Sequence, residues 1–184
     1  MLEPKRIESR RNHDGSWYCV HSHVIGAPPP AVFAVLADLG AYARWWPGVS
    51  IRLQSKLGGS TAPGARGSLA LRSGLVSLRS EFVVEEAAAG KKIRLLLADG
   101  GAKGPLVLGV APVDDACRVS LIFDGVRVEA PLPRFLFRFL GARTFDRSSV
   151  RALKGLEKFV AEKRRKEPEA PRRKFEWRGA TPGE

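Results

Sequence analysis

His21 and His23 stand two residues apart in the strand-like run Trp17–Ile25, so period 2 puts both imidazoles on one face. Imidazoles titrate near neutrality, and such a pair could shuttle a proton or hold a polar group of a ligand. Metal ligation is the weaker chemistry, because two histidines without a nearby cysteine, aspartate or third histidine make a poor site. The plainer alternative is two half-buried histidines satisfied by backbone or water. His13, the remaining histidine, lies in a charged lead-in and adds nothing. A second cluster, Trp45 and Trp46, is closed by Pro47-Gly48. An indole offers a broad apolar face and one N–H donor, so one tryptophan is expected to pack under the sheet edge and the other to be available to a ligand. Arg44 beside them could meet a carboxylate or phosphate head group, or simply be an exposed helix arginine.

No Gly-x-Ser-x-Gly, Walker loop, dinucleotide fingerprint or metal-ligand cluster occurs, so neither a cofactor nor a metal is expected. An enzyme built from this chain would work by folding a reactive substrate in a cavity beside one or two acid/base groups.

Composition bounds the setting. With 184 residues, 44% hydrophobic, the chain can bury one sizeable core and reads as one domain. The net charge of +12 biases its surface toward anionic partners, and most of that excess lies before Glu162. Cys19 and Cys117 sit in separate strand-like runs and read as buried free thiols, not as a disulfide framework. The opening MLEPKRIESRR carries charge but no apolar h-region, and no apolar run reaches the ~18 residues of a membrane span. A cytoplasmic protein is the expectation.

Along the chain, residues 1–15 read as a flexible lead-in, 16–166 as the folded domain and 167–184 as a disordered basic tail. On the first strand Cys19, His21, His23 and Ile25 share a face, though both faces are mixed and periodicity does not say which is inside. Pro28 to Pro30 can open a helix, since a proline in the first turn removes only an N–H that would be unpaired anyway. Val32, Phe33, Leu36 and Leu39 then supply a buried stripe. Gly40 interrupts, and a second helical turn over residues 41–46 ends at Pro47. Strands are expected near 49–56, 66–73, 76–86, 91–98, 105–111 and 117–128, an antiparallel meander with turn residues between its runs. One face collects Ile51, Leu53, Leu78, Phe82, Val84, Ile93, Leu95, Leu97, Val119, Leu121 and Phe123, while the other carries Arg52, Arg79, Glu85, Arg94 and Arg118. Residues 132 to about 165 give the longest helical signal, long enough at about 1.5 Å per residue to lie across the whole sheet.

The stretch HVIGAPPPAVFAVLADLGAYARWWPGV, together with Gly64-Ala65-Arg66-Gly67 and Ala152-Leu153-Lys154-Gly155-Leu156, resembles the SRPBCC superfamily of START-like lipid-binding and polyketide cyclase/dehydrase-like proteins. The resemblance covers roughly residues 17 to 163. It implies an α+β helix-grip fold: a curved seven-stranded antiparallel sheet around a long C-terminal helix, with two short helices after the first strand. It also implies a cavity between sheet and helix, opening near the second short helix, and puts His21 and His23 on the cavity side.

The expected ligand contacts are therefore His21, His23, Trp45, Trp46, Phe82, Leu95, Phe123, Phe135 and Phe139, with His21 and His23 the only acid/base candidates. The expected ligand is a hydrophobic small molecule such as a lipid, quinone or polyketide-like compound. An aromatase/cyclase-like enzyme is the alternative. Arg134, Arg138, Arg143, Arg147 and Arg151 recur at four- or five-residue steps and form a basic ridge, either a plain solvated face or a contact for anionic membrane. The tail run RRKFEWR interleaves basic and aromatic residues, but no nucleic-acid motif accompanies it, which argues against nucleic acid as a partner.

Overall fold

A computed structural model describes residues 3–54, 61–73, 76–129 and 142–166. Eight antiparallel strands form one curved, unclosed sheet in the order β1-β2-β8-β7-β6-β5-β4-β3. The strands are β1 (Lys5–Arg11), β2 (Trp17–Ile25), β3 (Val49–Leu53), β4 (Arg66–Ser73), β5 (Val76–Ala88), β6 (Lys92–Gly100), β7 (Ala102–Val113) and β8 (Ala116–Val128). Between β2 and β3 lie α1 (Pro29–Ala37), a 3-10 turn (Leu39–Ala41) and α2 (Tyr42–Trp45). The long helix α3 (Ala142–Lys166) packs on the concave face of the sheet, touching β2 and both short helices. This is the helix-grip architecture.

Among the described residues the strand count is eight, not seven. The extra strand, β1, lies inside the segment expected to be a loose lead-in. Its sequence KRIESRR has no apolar alternation, and its one large apolar side chain, Ile7, is 57% exposed. Backbone pairing to β2 holds it in place, from Lys5 opposite Ser22 to Arg11 opposite Trp17. Charged side chains suit such an edge, because they discourage pairing with a further chain.

From β5 to β8 the alternation behaves as the sequence implies. Leu78, Phe82, Val84, Ile93, Leu95, Leu97, Val119, Leu121 and Phe123 are all buried, whereas Arg79, Glu85, Arg118 and Asp124 are exposed. The helix buries Ala152, Leu153, Leu156 and Val160 against that face, and also Ser148 and Ser149. Residues 132–141, the expected first part of the long helix, lie outside the described residues, as does the expected disordered tail.

Gly48 carries the turn from α2 into β3. Its φ of +83° suits glycine, and a Cβ there would approach the Arg72 carbonyl oxygen to 2.1 Å.

Both cysteines are free and buried. Burial alone raises the Cys117 thiol to about 11, so its thiolate is scarce at pH 8. A disulfide-exchange reagent at pH 8 should leave Cys117 unlabelled in the folded chain over the time in which it labels the denatured chain completely. Equal labelling rates in the two states would contradict the burial.

Candidate functional site

Strand β2 presents Cys19, His21 and His23 inward, toward α3. His21 is fully buried and His23 nearly so. Each meets a carboxylate from the helix: His21 Nε2 lies 3.1 Å from Asp146 Oδ1, and His23 Nε2 lies 2.9 Å from Glu157 Oε2. The neighbours thought absent from the sequence are therefore present, because α3 supplies acids from far along the chain and β2 itself supplies Cys19, whose Sγ is 3.2 Å from His21 Nε2. Arg6 of β1 donates to the other oxygen of Asp146 at 2.6 Å. Burial lowers the pKa of His21, outweighing the opposing pull of Asp146, so the ring is neutral at pH 7. Burial, reinforced by the Asp146 charge, raises the Cys19 thiol to about 11. Neither histidine finds a partner for Nδ1 among the described residues.

The tryptophans do not flank an open mouth. Trp45 and Trp46 are 1% and 2% exposed, packed with Tyr42 into one aromatic cluster whose ring centroids lie 4.5 to 6.3 Å apart. The Trp46 indole N–H donates to Ser148 Oγ of α3 at 2.9 Å. The backbone of Trp45 sits against Gly155 of α3 so closely that a Cβ on that glycine would come within 1.9 Å of the Trp45 carbonyl oxygen. The sequence reading expected only one tryptophan to be packed away, whereas a glycine in the long helix lets α2 sink into the core with both. Gly155 in ALKGLEK is the signal that could have shown this.

Two small voids lie between the sheet and the start of α3, each about 30 Å³. One is bordered by Ser9, Trp17, Cys19, Phe123, Val126, Val128, Phe145 and Asp146. The other is bordered by Trp46, Leu69, Leu71, Leu97, Leu106 and their neighbours, and again by Phe123, Val126 and Phe145. Phe123 and Phe145 meet edge to face at 5.5 Å, which makes them the partition between the two spaces.

Of the expected ligand contacts, the structure puts Trp46 and Phe123 on void walls. His21, His23, Trp45, Phe82 and Leu95 are buried without lining either void, and Phe135 and Phe139 lie outside the described residues. Phe145 and Asp146, both at these voids, were not among those contacts. On the expected basic ridge, Arg147 and Arg151 are exposed; the side chain of Arg143, and all of Arg134 and Arg138, lie outside the described residues.

A separate groove of about 660 Å³ runs between the start of α1 and the end of α3, opening on solvent. It mixes apolar residues such as Pro28 and Val160 with Glu157, Lys163 and Arg164, and Arg164 already donates to the Gly26 carbonyl at 3.2 Å. No described helix is long and apolar enough to cross a membrane.

Solved structures share this fold at low identity. A protein from Thermus thermophilus, TTHA0849, is 20% identical with a TM-score of 0.66, the match covering 79% of this chain and 98% of that one. A START superfamily protein from Mycobacterium smegmatis is 18% identical with a TM-score of 0.62, covering 79% and 97%. The Zhui aromatase/cyclase from Streptomyces sp. R1128 is 16% identical with a TM-score of 0.63, covering 80% and 94%. No curated protein matches by sequence. The profile of one family, polyketide cyclase/dehydrase and lipid transport, spans residues 19–161, from the inward-facing face of β2 to the last turns of α3, and the chain belongs to that family.

Proposed function

We propose that the chain binds or carries a hydrophobic small molecule, of the lipid, quinone or polyketide-like kind, in the trough between the concave face of the sheet and the start of α3. One observation carries this reading. Among the described residues, the wall of the void beside Trp46 is apolar apart from Ser80 and the Trp46 N–H; Ser80 Oγ accepts from the Ala102 N–H at 2.9 Å, and Trp46 donates to Ser148. A wall this poor in polar groups selects mainly by shape and disfavours ligands that need many hydrogen bonds.

A ligand of drug size needs roughly 300 Å³ or more. Filling the trough therefore requires its wall to part, and Phe145, half-buried where the two voids meet, is the side chain whose rotation joins them. The outer groove is large enough as it stands, but its charges and open side keep it wet. A cyclase-type reaction is less well supported, since the two histidines lie off the void walls with their Nε2 atoms committed to carboxylates.

Native mass spectrometry of the gently purified full chain should show a co-purifying apolar compound, and fluorescent fatty-acid or quinone analogues should be taken up from solution. A chain that arrives empty and takes up no such analogue would overturn the proposal.

A further inference from the structure

A thiol, an imidazole and a carboxylate meet at His21. Cys19 Sγ, His21 Nε2 and Asp146 Oδ1 lie 3.2, 3.1 and 3.8 Å from one another, so three donor atoms converge on one point. Without a cation, protons fill the space between them: with the ring proton on Nε2, both that N–H and the Cys19 thiol donate to Asp146 Oδ1, at 3.1 and 3.8 Å. All three heavy atoms are of types that bind metal once those protons leave. A catalytic relay would bring the cysteine and the acid to opposite nitrogens of the ring, whereas here both approach the same one.

A cation fits at the shared point in place of those protons. Zinc–sulfur distances of about 2.3 Å and zinc–nitrogen or zinc–oxygen distances of about 2.0 to 2.1 Å put tetrahedral ligand atoms about 3.3 to 3.6 Å apart. The observed triangle lies within a few tenths of an ångström of those edges. We propose that Cys19, His21 and Asp146 form a mononuclear zinc-type metal site with three protein ligands and a fourth position open to the void beside Phe123 and Phe145.

The surroundings suit that assignment. Arg6 holds Asp146 through Oδ2, which leaves Oδ1 to ligate and fixes the carboxylate from behind, as outer hydrogen bonds to metal ligands commonly do. Cys19 and Asp146 both border the void of about 30 Å³, which has room for one water at the fourth position. Thiolate, imidazole and carboxylate together favour zinc or cobalt over magnesium or calcium. On binding, the Cys19 thiol gives up its proton to solvent, the sulfur lone pair forms the bond to the metal, and the ring proton of His21 resides on Nδ1. The metal site does not depend on what fills the trough.

The test uses the full chain, stripped with a chelator and titrated with Co²⁺ and then Zn²⁺. Cobalt should give thiolate-to-metal charge-transfer absorption in the near ultraviolet and the intense visible bands of a four-coordinate ion, both lost when zinc displaces it. Cys19→Ser should abolish the charge-transfer band, and His21→Ala and Asp146→Asn should each weaken zinc binding about tenfold or more. Cys117→Ser and Glu157→Gln should change neither. Absence of the charge-transfer band at millimolar cobalt, or its survival in Cys19→Ser with loss in Cys117→Ser, would overturn the site. Thermal melts of the metal-free variants identify any that fail to fold. If Cys19→Ser is one of them, an unchanged cobalt spectrum and affinity in Asp146→Asn overturns the proposal instead.

Discussion

Gly155→Ala should lower the stability of the fold by about 3 kcal/mol or more, against the usual trend for this substitution. In an ordinary helix interior alanine stabilises by about 1 kcal/mol relative to glycine, because it reduces the freedom of the unfolded chain and covers the backbone. Here the added Cβ would meet the Trp45 carbonyl oxygen at 1.9 Å. The obstacle is backbone, so no rotamer change relieves it, and α2 must move away from α3. That separation would loosen the cluster of Tyr42, Trp45 and Trp46, three of the larger buried side chains. Chemical denaturation with tryptophan fluorescence would measure both the loss and the altered indole environment. A variant as stable as the parent would mean that the two helices are not in contact at this glycine.

Phe145→Ala should raise affinity for apolar probes about tenfold, which is roughly 1.4 kcal/mol, while costing about 2 kcal/mol of stability. The phenyl ring separates two voids that share Phe123 and Val126, so its removal joins them and adds its own volume. Apolar cavities opened this way in other proteins stay dry and admit benzene-sized guests. Phe145→Trp should have the opposite effect on uptake. Fluorescence titration with a naphthyl or fatty-acid probe, paired with a thermal melt, separates gain of binding from general loosening. Unchanged uptake in both variants would move the ligand site away from the trough and toward the groove between α1 and the end of α3.

Much of this architecture is legible in the residues because strict alternation has only one solution when a sheet has one dry face. Ile93, Leu95 and Leu97 could not be turned outward without exposing all three, and they are buried. The proline start of α1 is equally local, with Pro29 at its first position. Strand β1 was hidden because backbone pairing to β2 holds it and its mostly exposed, charged side chains show no apolar alternation. The partners of the histidines were hidden for another reason. Asp146 and Glu157 lie 125 and 134 residues beyond His21 and His23, and nothing local says where the helix will come to rest over β2. The burial of both tryptophans was hidden because it depends on an atom that is missing from another helix, the Cβ of Gly155.

Apolar packing has little directionality, and a greasy helix on a greasy sheet could settle in several positions shifted by a turn. Helix α3 cannot, because Asp146, Ser148, Gly155 and Glu157 each engage a different fixed partner: His21, Trp46, the Trp45 backbone and His23. A slip of one residue in either direction would break all four engagements at once. The helix therefore behaves as a bar bolted along its length. Relatives with guests of different size should differ first in the ring at position 145 and its neighbours, and only last in where the bar lies.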